Sequence, residues 1–248
     1  MKRLLMALLM VVLPVGITYA GTFSDDFDDG QLGGWHIDGF PRDVPAKVEI
    51  QNGYVVMDTR EKPRELATLE LKAGNAKNWN AYTFTCRVRI AGEPTIFSIH
   101  VRRGEGRFDL AADQTMVIVP LDQRGNVYTT PPDAKFNRKI GRIEGYILRG
   151  NFKVPIKLKR WYPIKIVANG DNFAFYFDNK LLTKYEDKSA VPGTVRFQAD
   201  FGMVAHIDDV VITGPKVPNL AHSVTPKGHL TTTIWGKIKT DSSELQRQ

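Results

Sequence analysis

Acidic residues gather at the two ends of one long stretch: Asp25, Asp26, Asp28 and Asp29 near its start, Asp208 and Asp209 near its close. Calcium takes several hard oxygen ligands. Asp26, Asp28 and Asp209 are the expected ligand set if the two ends lie side by side, although the spacing is not that of an EF-hand loop. The same aspartates also read as turn formers that bond their own backbone. A second set falls on the polar phase of alternating segments: Arg87, Arg89, His100, Arg102, Arg196, Gln198 and Asp200. Arginine and glutamine suit fixed hydrogen bonds to sugar hydroxyls. A histidine near an aspartate can exchange protons, which makes His100 and Asp200 the candidate catalytic pair. A solvated outer sheet face carries the same pattern. Tyr128 and Tyr146, with Phe136 between them, offer flat rings on which the C–H face of a sugar can stack.

Other chemistries find little support. There is no Gly-x-Ser-x-Gly elbow, no glycine-rich phosphate loop and no histidine pair at metal-ligand spacing. Cys86 is the single cysteine, so an intrachain disulfide is excluded. It keeps phase with Tyr82, Phe84, Val88 and Ile90, and is expected in the core.

The elements that must position these residues are strands. Apolar and polar residues alternate over Gly53–Thr59, Leu66–Lys72, Ala81–Ile90, Thr95–Arg102, Thr115–Pro120, Ile164–Ala168, Asn172–Asp178, Thr194–Asp200 and Ala205–Thr213. Turn residues separate them, as in Gln51-Asn52-Gly53 and Val191-Pro192-Gly193. No helical period is sustained. Many short strands with polar turns predict two packed antiparallel sheets. The interval 104–159 is rich in glycine and reads as strands with long loops, where binding residues concentrate.

The first twenty residues read as a secretory signal: Lys2 and Arg3, an apolar run from Leu4 to Ile17, then Ala20 before Gly21. That run is short for a membrane span, which needs roughly 20 residues. The expectation is an exported chain, secreted or held in a periplasm or cell envelope, with no membrane span after cleavage. Removing Lys2 and Arg3 takes the formal charge from +7 to +5, since two cations and no acid are lost. The basic residues are spread along strands, which argues against nucleic acid as partner. The domain is expected over 21–213. Residues 214–248 read as an extended tail punctuated by Pro215, Pro218 and Pro226, with Trp235 as its anchor.

Several segments in this order resemble a known superfamily. They are Phe23-Ser24-Asp25-Asp26-Phe27-Asp28-Asp29-Gly30 with Trp35, Asn52-Gly53-Tyr54-Val55-Val56, and Trp79-Asn80-Ala81-Tyr82-Thr83-Phe84. Trp161-Tyr162-Pro163-Ile164-Lys165-Ile166 follows with its hairpin to Phe175-Tyr176-Phe177-Asp178-Asn179, and His206-Ile207-Asp208-Asp209-Val210-Val211-Ile212 closes the set. Together they resemble the concanavalin A-like lectin/glucanase superfamily, and within it laminin G-like domains and the bacterial 3-keto-disaccharide hydrolase family. The resemblance covers about residues 21–213. It implies an all-β, two-sheet antiparallel jelly roll with sugar binding or glycoside chemistry on its concave face, and often a structural calcium. It makes Trp35, Trp79 and Trp161 structural. The Glu-x-Asp-x-x-Glu strand of family-16 glucanases is absent, and with it the usual signature of a two-carboxylate mechanism. Three readings follow: a carbohydrate-binding protein, with or without hydrolysis of a glycan or 3-keto-disaccharide; a laminin G-like adhesion module whose partner is a protein or matrix polymer; or a purely structural envelope protein, which a filled concave face and no calcium would fit.

Overall fold

The computed structural model describes residues 20–40, 47–61, 66–92, 96–104, 112–119, 122, 124–132, 135–137, 142–153, 156–200 and 202–222. The expected signal segment up to Tyr19 and the proposed anchor Trp235 lie outside them. In chain order the described strands begin with β1 (Gly21–Asp25), β2 (Trp35–Phe40), β3 (Lys47–Gln51), β4 (Tyr54–Asp58), β5 (Leu66–Leu71) and β6 (Ala81–Ile90). Then come β7 (Ile96–Arg103), β8 (Asp113–Val119), β9 (Arg124–Thr130), β10 (Lys135–Asn137), β11 (Arg142–Glu144) and β12 (Ile147–Lys153). The last are β13 (Trp161–Asn169), β14 (Asn172–Phe177), β15 (Lys180–Glu186), β16 (Thr194–Asp200), β17 (Val204–Gly214) and β18 (Leu220–His222). A single 3-10 segment, Ala73–Asn78, stands between β5 and β6.

Two large sheets result. Sheet A runs β15-β14-β13-β6-β17-β1-β18, with β4 also on β17 and β3 on β4; sheet B runs β12-β9-β8-β7-β16-β5-β2. The short pair β10–β11 stands apart. The neighbours pair antiparallel except β18, which lies parallel to β1. The fold is therefore the all-β two-sheet antiparallel sandwich that the alternation predicts. The chain does not leave it at Gly214. Val217 donates its N–H to the Gly214 carbonyl and enters the core, and Leu220–His222 adds an edge strand. A three-residue strand beside prolines carries no readable period, so this extension was not visible in the residue pattern.

Alternation becomes burial directly: β6 and β13 each bury every second side chain. Inward residues of both sheets form one cluster, in which Cys86 sits among Phe84, Val88 and Ile164 as its phase predicts. Its thiol is pushed well above the ordinary range by burial, so it is inert as a nucleophile. Phe197 of β16 is fully buried, with ring centroids 5.7 Å from Trp35, 5.9 Å from Phe84 and 6.3 Å from Phe97. It bridges the two sheets.

Asp25 carries a pH dependence of its own. Its carboxylate accepts from Trp35 Nε1 and the Phe27 N–H, both at 2.9 Å. Burial outweighs these bonds and pushes its pKa from 3.8 up to about 6. The unfolded carboxyl ionises at the lower value and the folded one at the higher, so the folded state holds the extra proton in between. Stability from this group is therefore lost as pH rises through that window, on the order of 2 kcal/mol in all. Melting temperatures of the wild type minus those of Asp25→Asn, measured from pH 4 to 7, are expected to fall as pH rises. A flat difference would contradict this assignment.

Candidate functional site

The side of sheet B turned away from the core is polar from edge to edge. Cross-strand pairing places Tyr128, Thr115, His100, Arg196, Glu70 and His36 in one row, through β9, β8, β7, β16, β5 and β2. The adjacent row holds Asn126, Val117, Ser98, Gln198, Thr68 and Asp38. A solvated outer face would leave these groups wet. Instead His100 is 9% exposed, Arg196 5%, Gln198 8%, Glu70 8% and Arg103 2%. The middle of the face is enclosed, and buried polar groups need partners.

Some of those partners are within the row. The His100 Nδ1–H donates to Asp113 Oδ2 at 2.8 Å, and Thr115 Oγ1 donates to Asp113 Oδ1 at 2.9 Å. Arg103 Nη1 reaches Asp113 Oδ2 at 3.3 Å, and its Nε lies 3.7 Å from Glu70. Arg196 donates Nε and Nη2 to Glu70 Oε2 at 3.0 and 2.6 Å, and Lys72 also pairs with Glu70. Burial alone would raise the Asp113 carboxyl, but the His100 ring, Arg103 and Thr115 hold it below the usual range. Glu70 is likewise raised by burial and more strongly lowered by Lys72 and Arg196. Two carboxylates and two guanidiniums thus compensate one another, the arrangement that makes buried charge tolerable.

Other atoms remain unmet. His100 Nε2, Arg196 Nη1, Gln198 Oε1 and Asn126 Oδ1 are buried without a hydrogen-bond partner, all four in these two rows. The Asp113 carboxylate takes the Nδ1–H, which leaves Nε2 as the ring nitrogen without a partner. Four such atoms on one face are a preformed set of contacts for a polar ligand. A cavity of about 390 Å³ opens at the end where Arg103 and Asp113 lie, lined by Gly104, Ala112, Lys77, Asn78, Pro132, Val191 and Pro192.

The structure redistributes the expected residues. His100, Arg196, Gln198 and Asp200 share this face, but Asp200 does not serve His100. It lies four residues along β16 from Arg196, the residue opposite His100, or about 13 Å at strand rise. The histidine's aspartate is Asp113. Arg102 is displaced by a bulge: its φ is +53°, and the β7–β16 register shifts there. Its guanidinium turns to the carbonyls of Val191, Asn80 and Gly170, at 2.7, 2.6 and 2.9 Å. Arg103 takes the place on the polar face that simple alternation gave to Arg102. Gly193 permits the bulge, because a Cβ there would lie 2.2 Å from the Arg103 carbonyl oxygen.

Arg87 and Arg89 belong to the other sheet. Both project from the outer face of β6, where Arg87 pairs with Asp208 at 2.7 Å and Asp209 at 2.5 Å. Arg89 lies over the rings of Tyr54 and Trp161, at 4.8 and 4.6 Å, and donates to His206 Nδ1 at 2.9 Å. Burial, then Arg89, push the His206 pKa down to about 4. Trp161 packs in this outer stack, whereas Trp35 and Trp79 are core residues. Sequence periodicity shows which phase of a strand is polar but not which sheet the strand joins, hence the misplacement. Tyr128 and Tyr146 do come together, with ring centroids 5.9 Å apart at the β9 end of the polar face. The side chain of Phe136 lies outside the described residues.

The aspartates expected to hold calcium do not form a ligand set. Asp209 is engaged by Arg87, and Asp26 Oδ1 accepts the Asp28 N–H in a local turn at 3.2 Å. Among the described residues no three His, Cys, Asp or Glu side chains are gathered for a metal.

Glu70, Arg103, Asp113, Thr115 and Asn126 were not singled out by residue pattern. Glu70 and Thr68 were within reach, since both fall on the polar phase of Leu66–Lys72. Asp113 opens its strand just before the readable alternation, and Arg103 is hidden by the bulge.

No family profile matches the chain, and no curated protein matches it in sequence. Solved structures do match in fold. An endo-β-1,3(4)-glucanase of family GH16, SCLam, superposes with a TM-score of 0.58 at 14% identity, covering 82% of this chain and 98% of that one. The carbohydrate-binding module CBM66 from Bacillus subtilis gives 0.51 at 13% identity, covering 71% and 93%. A Bacillus subtilis protein of unknown function with a galectin-like fold gives 0.54 at 10% identity, covering 73% and 90%. These likenesses establish the fold class, an all-β jelly-roll sandwich. At such identities they speak for the fold alone.

Proposed function

We propose that this chain is an exported carbohydrate-binding jelly roll whose site is the enclosed polar face of sheet B. The observation that carries the reading is the set of four buried, unmet polar atoms on His100, Arg196, Gln198 and Asn126. Leaving a buried polar group unpaired costs about 1–3 kcal/mol, so a ligand that supplies a partner to each of these atoms gains on that scale. The Tyr128–Tyr146 pair at the edge adds ring surface for stacking. The fold shared with a carbohydrate-binding module and a glucanase supports the same class of ligand. A laminin G-like adhesion module is less favoured, because the face carries a titratable His100–Asp113 pair and a compensated ion cluster.

Binding stands ahead of cleavage. A two-carboxylate glycosidase needs one carboxyl group protonated to serve as acid. Glu70 and Asp113 are both held ionised by their cationic neighbours. His100 Nε2 is left as the proton-exchanging atom, and any chemistry on a glycan or 3-keto-disaccharide would pass through it, with Asp113 positioning the ring. The full chain is expected to bind specific glycans on a broad array, and His100→Ala to lose those signals with its fold intact. Absence of any glycan signal from the wild type would overturn the proposal.

A further inference from the structure

We infer that the ligand of the sheet B face is an uncharged oligosaccharide, held chiefly through the hydroxyl protons it donates, and not an acidic glycan. The inference rests on the proposed carbohydrate site and specifies its substrate class. The protein's formal charge of +7 points the other way, toward anionic polymers. At this face, however, the charges are already met. Arg196 and Arg103 have Glu70 and Asp113 beside them.

The remaining demand follows from donor and acceptor type. Gln198 Oε1 and Asn126 Oδ1 are acceptors, and His100 Nε2 joins them in the neutral ring, whose one proton sits on Nδ1 facing Asp113. Arg196 Nη1 alone is a donor. A carboxylate or sulfate brings acceptors only. It would satisfy Arg196 Nη1 and leave its remaining lone pairs facing three others across a dry site, where such contacts are costly. A sugar hydroxyl donates and accepts at once. It can give its proton to His100, Gln198 or Asn126 and take one from Arg196 with no charge to desolvate.

Placement adds the length. Asn126 is on β9 and Gln198 on β16, three strands apart in one row, or about 14 Å at inter-strand spacing. That is wider than one sugar ring, so several linked sugars are needed to meet the set.

The test is a titration of the full chain with neutral glycans (a mixed-linkage β-glucan, a galactan and a fructan) and acidic ones (heparan sulfate, polygalacturonate and alginate). Each is run at about 50 and about 300 mM salt, between which surface attraction is largely screened. A neutral glycan is expected to bind with affinity changed by no more than about twofold between the two salts. Gln198→Ala is expected to weaken it about tenfold, the loss of one well-placed hydrogen bond. Asn126→Ala is expected to weaken it by a similar factor, since it removes a second acceptor of the same row. Acidic glycans are expected to bind at low salt only, and equally well in Gln198→Ala. Acidic binding that survives high salt and is lost in Gln198→Ala would overturn the inference while leaving the carbohydrate site standing. Failure of every glycan to bind would overturn both.

Discussion

Phe197→Ala is expected to lower the unfolding free energy by about 3–5 kcal/mol, the range for deleting a large buried aromatic. The ring has no solvent exposure and touches aromatic partners of both sheets: Trp35 of β2, Phe97 of β7 in its own sheet, and Phe84 of β6 in the other. Rigid strands on every side leave the cavity little chance to collapse, which places the cost at the upper end of such substitutions. Urea unfolding reads the effect as a fall in midpoint with unchanged slope. A cost below about 1 kcal/mol would mean that the two sheets do not meet at this residue.

The neighbouring residue gives the second large effect for the opposite reason. Arg196 projects from the other face of β16, with two N–H groups on Glu70 Oε2 at 3.0 and 2.6 Å. Arg196→Ala removes two of the N–H groups on Glu70 and leaves it Lys72 and the more distant Arg103, so the loss is expected at about 2–3 kcal/mol, below that for a buried charge left with no partner. Arg196→Ala with Glu70→Ala is expected to recover part of this, since no buried charge is then stranded. If the single variant proved neutral, Lys72 or water would have to satisfy Glu70 by itself, and Arg196 would not be part of its compensation. Adjacent residues on one strand thus test the core and the site separately.

What the residues reveal alone follows from the same alternation. In β16, Val195, Phe197 and Ala199 against Arg196, Gln198 and Asp200 can be sorted into two faces by eye, and the structure places them so. The two-sheet architecture is legible from the number and shortness of such segments. The partners of each strand are not legible: β6 lies between β13 and β17 in sheet A, whereas β7, next to it in sequence, belongs to sheet B. Arg87 and Arg89 therefore looked like companions of His100 and belong to the opposite sheet. One inserted residue at Arg102 shifts the phase and exchanges Arg102 for Arg103, a change that only the register shows. The His100–Asp113 contact joins strand neighbours across a register that periodicity does not specify. The terminal aspartates show the converse. Their sequence position does bring β1 against β17, but Arg87 reaches Asp208 and Asp209 first.

The measurement that bears most directly on the sheet B site is calorimetric titration of the glycan selected by the array into four proteins: wild type, His100→Ala, Gln198→Ala and Arg89→Ala. Losses of about tenfold or more are expected for His100→Ala and Gln198→Ala, with Arg89→Ala, on the outer face of sheet A, indistinguishable from wild type. Loss confined to Arg89→Ala, with the two sheet B variants binding normally, would place the site on the Tyr54–Trp161–His206 stack and contradict the account.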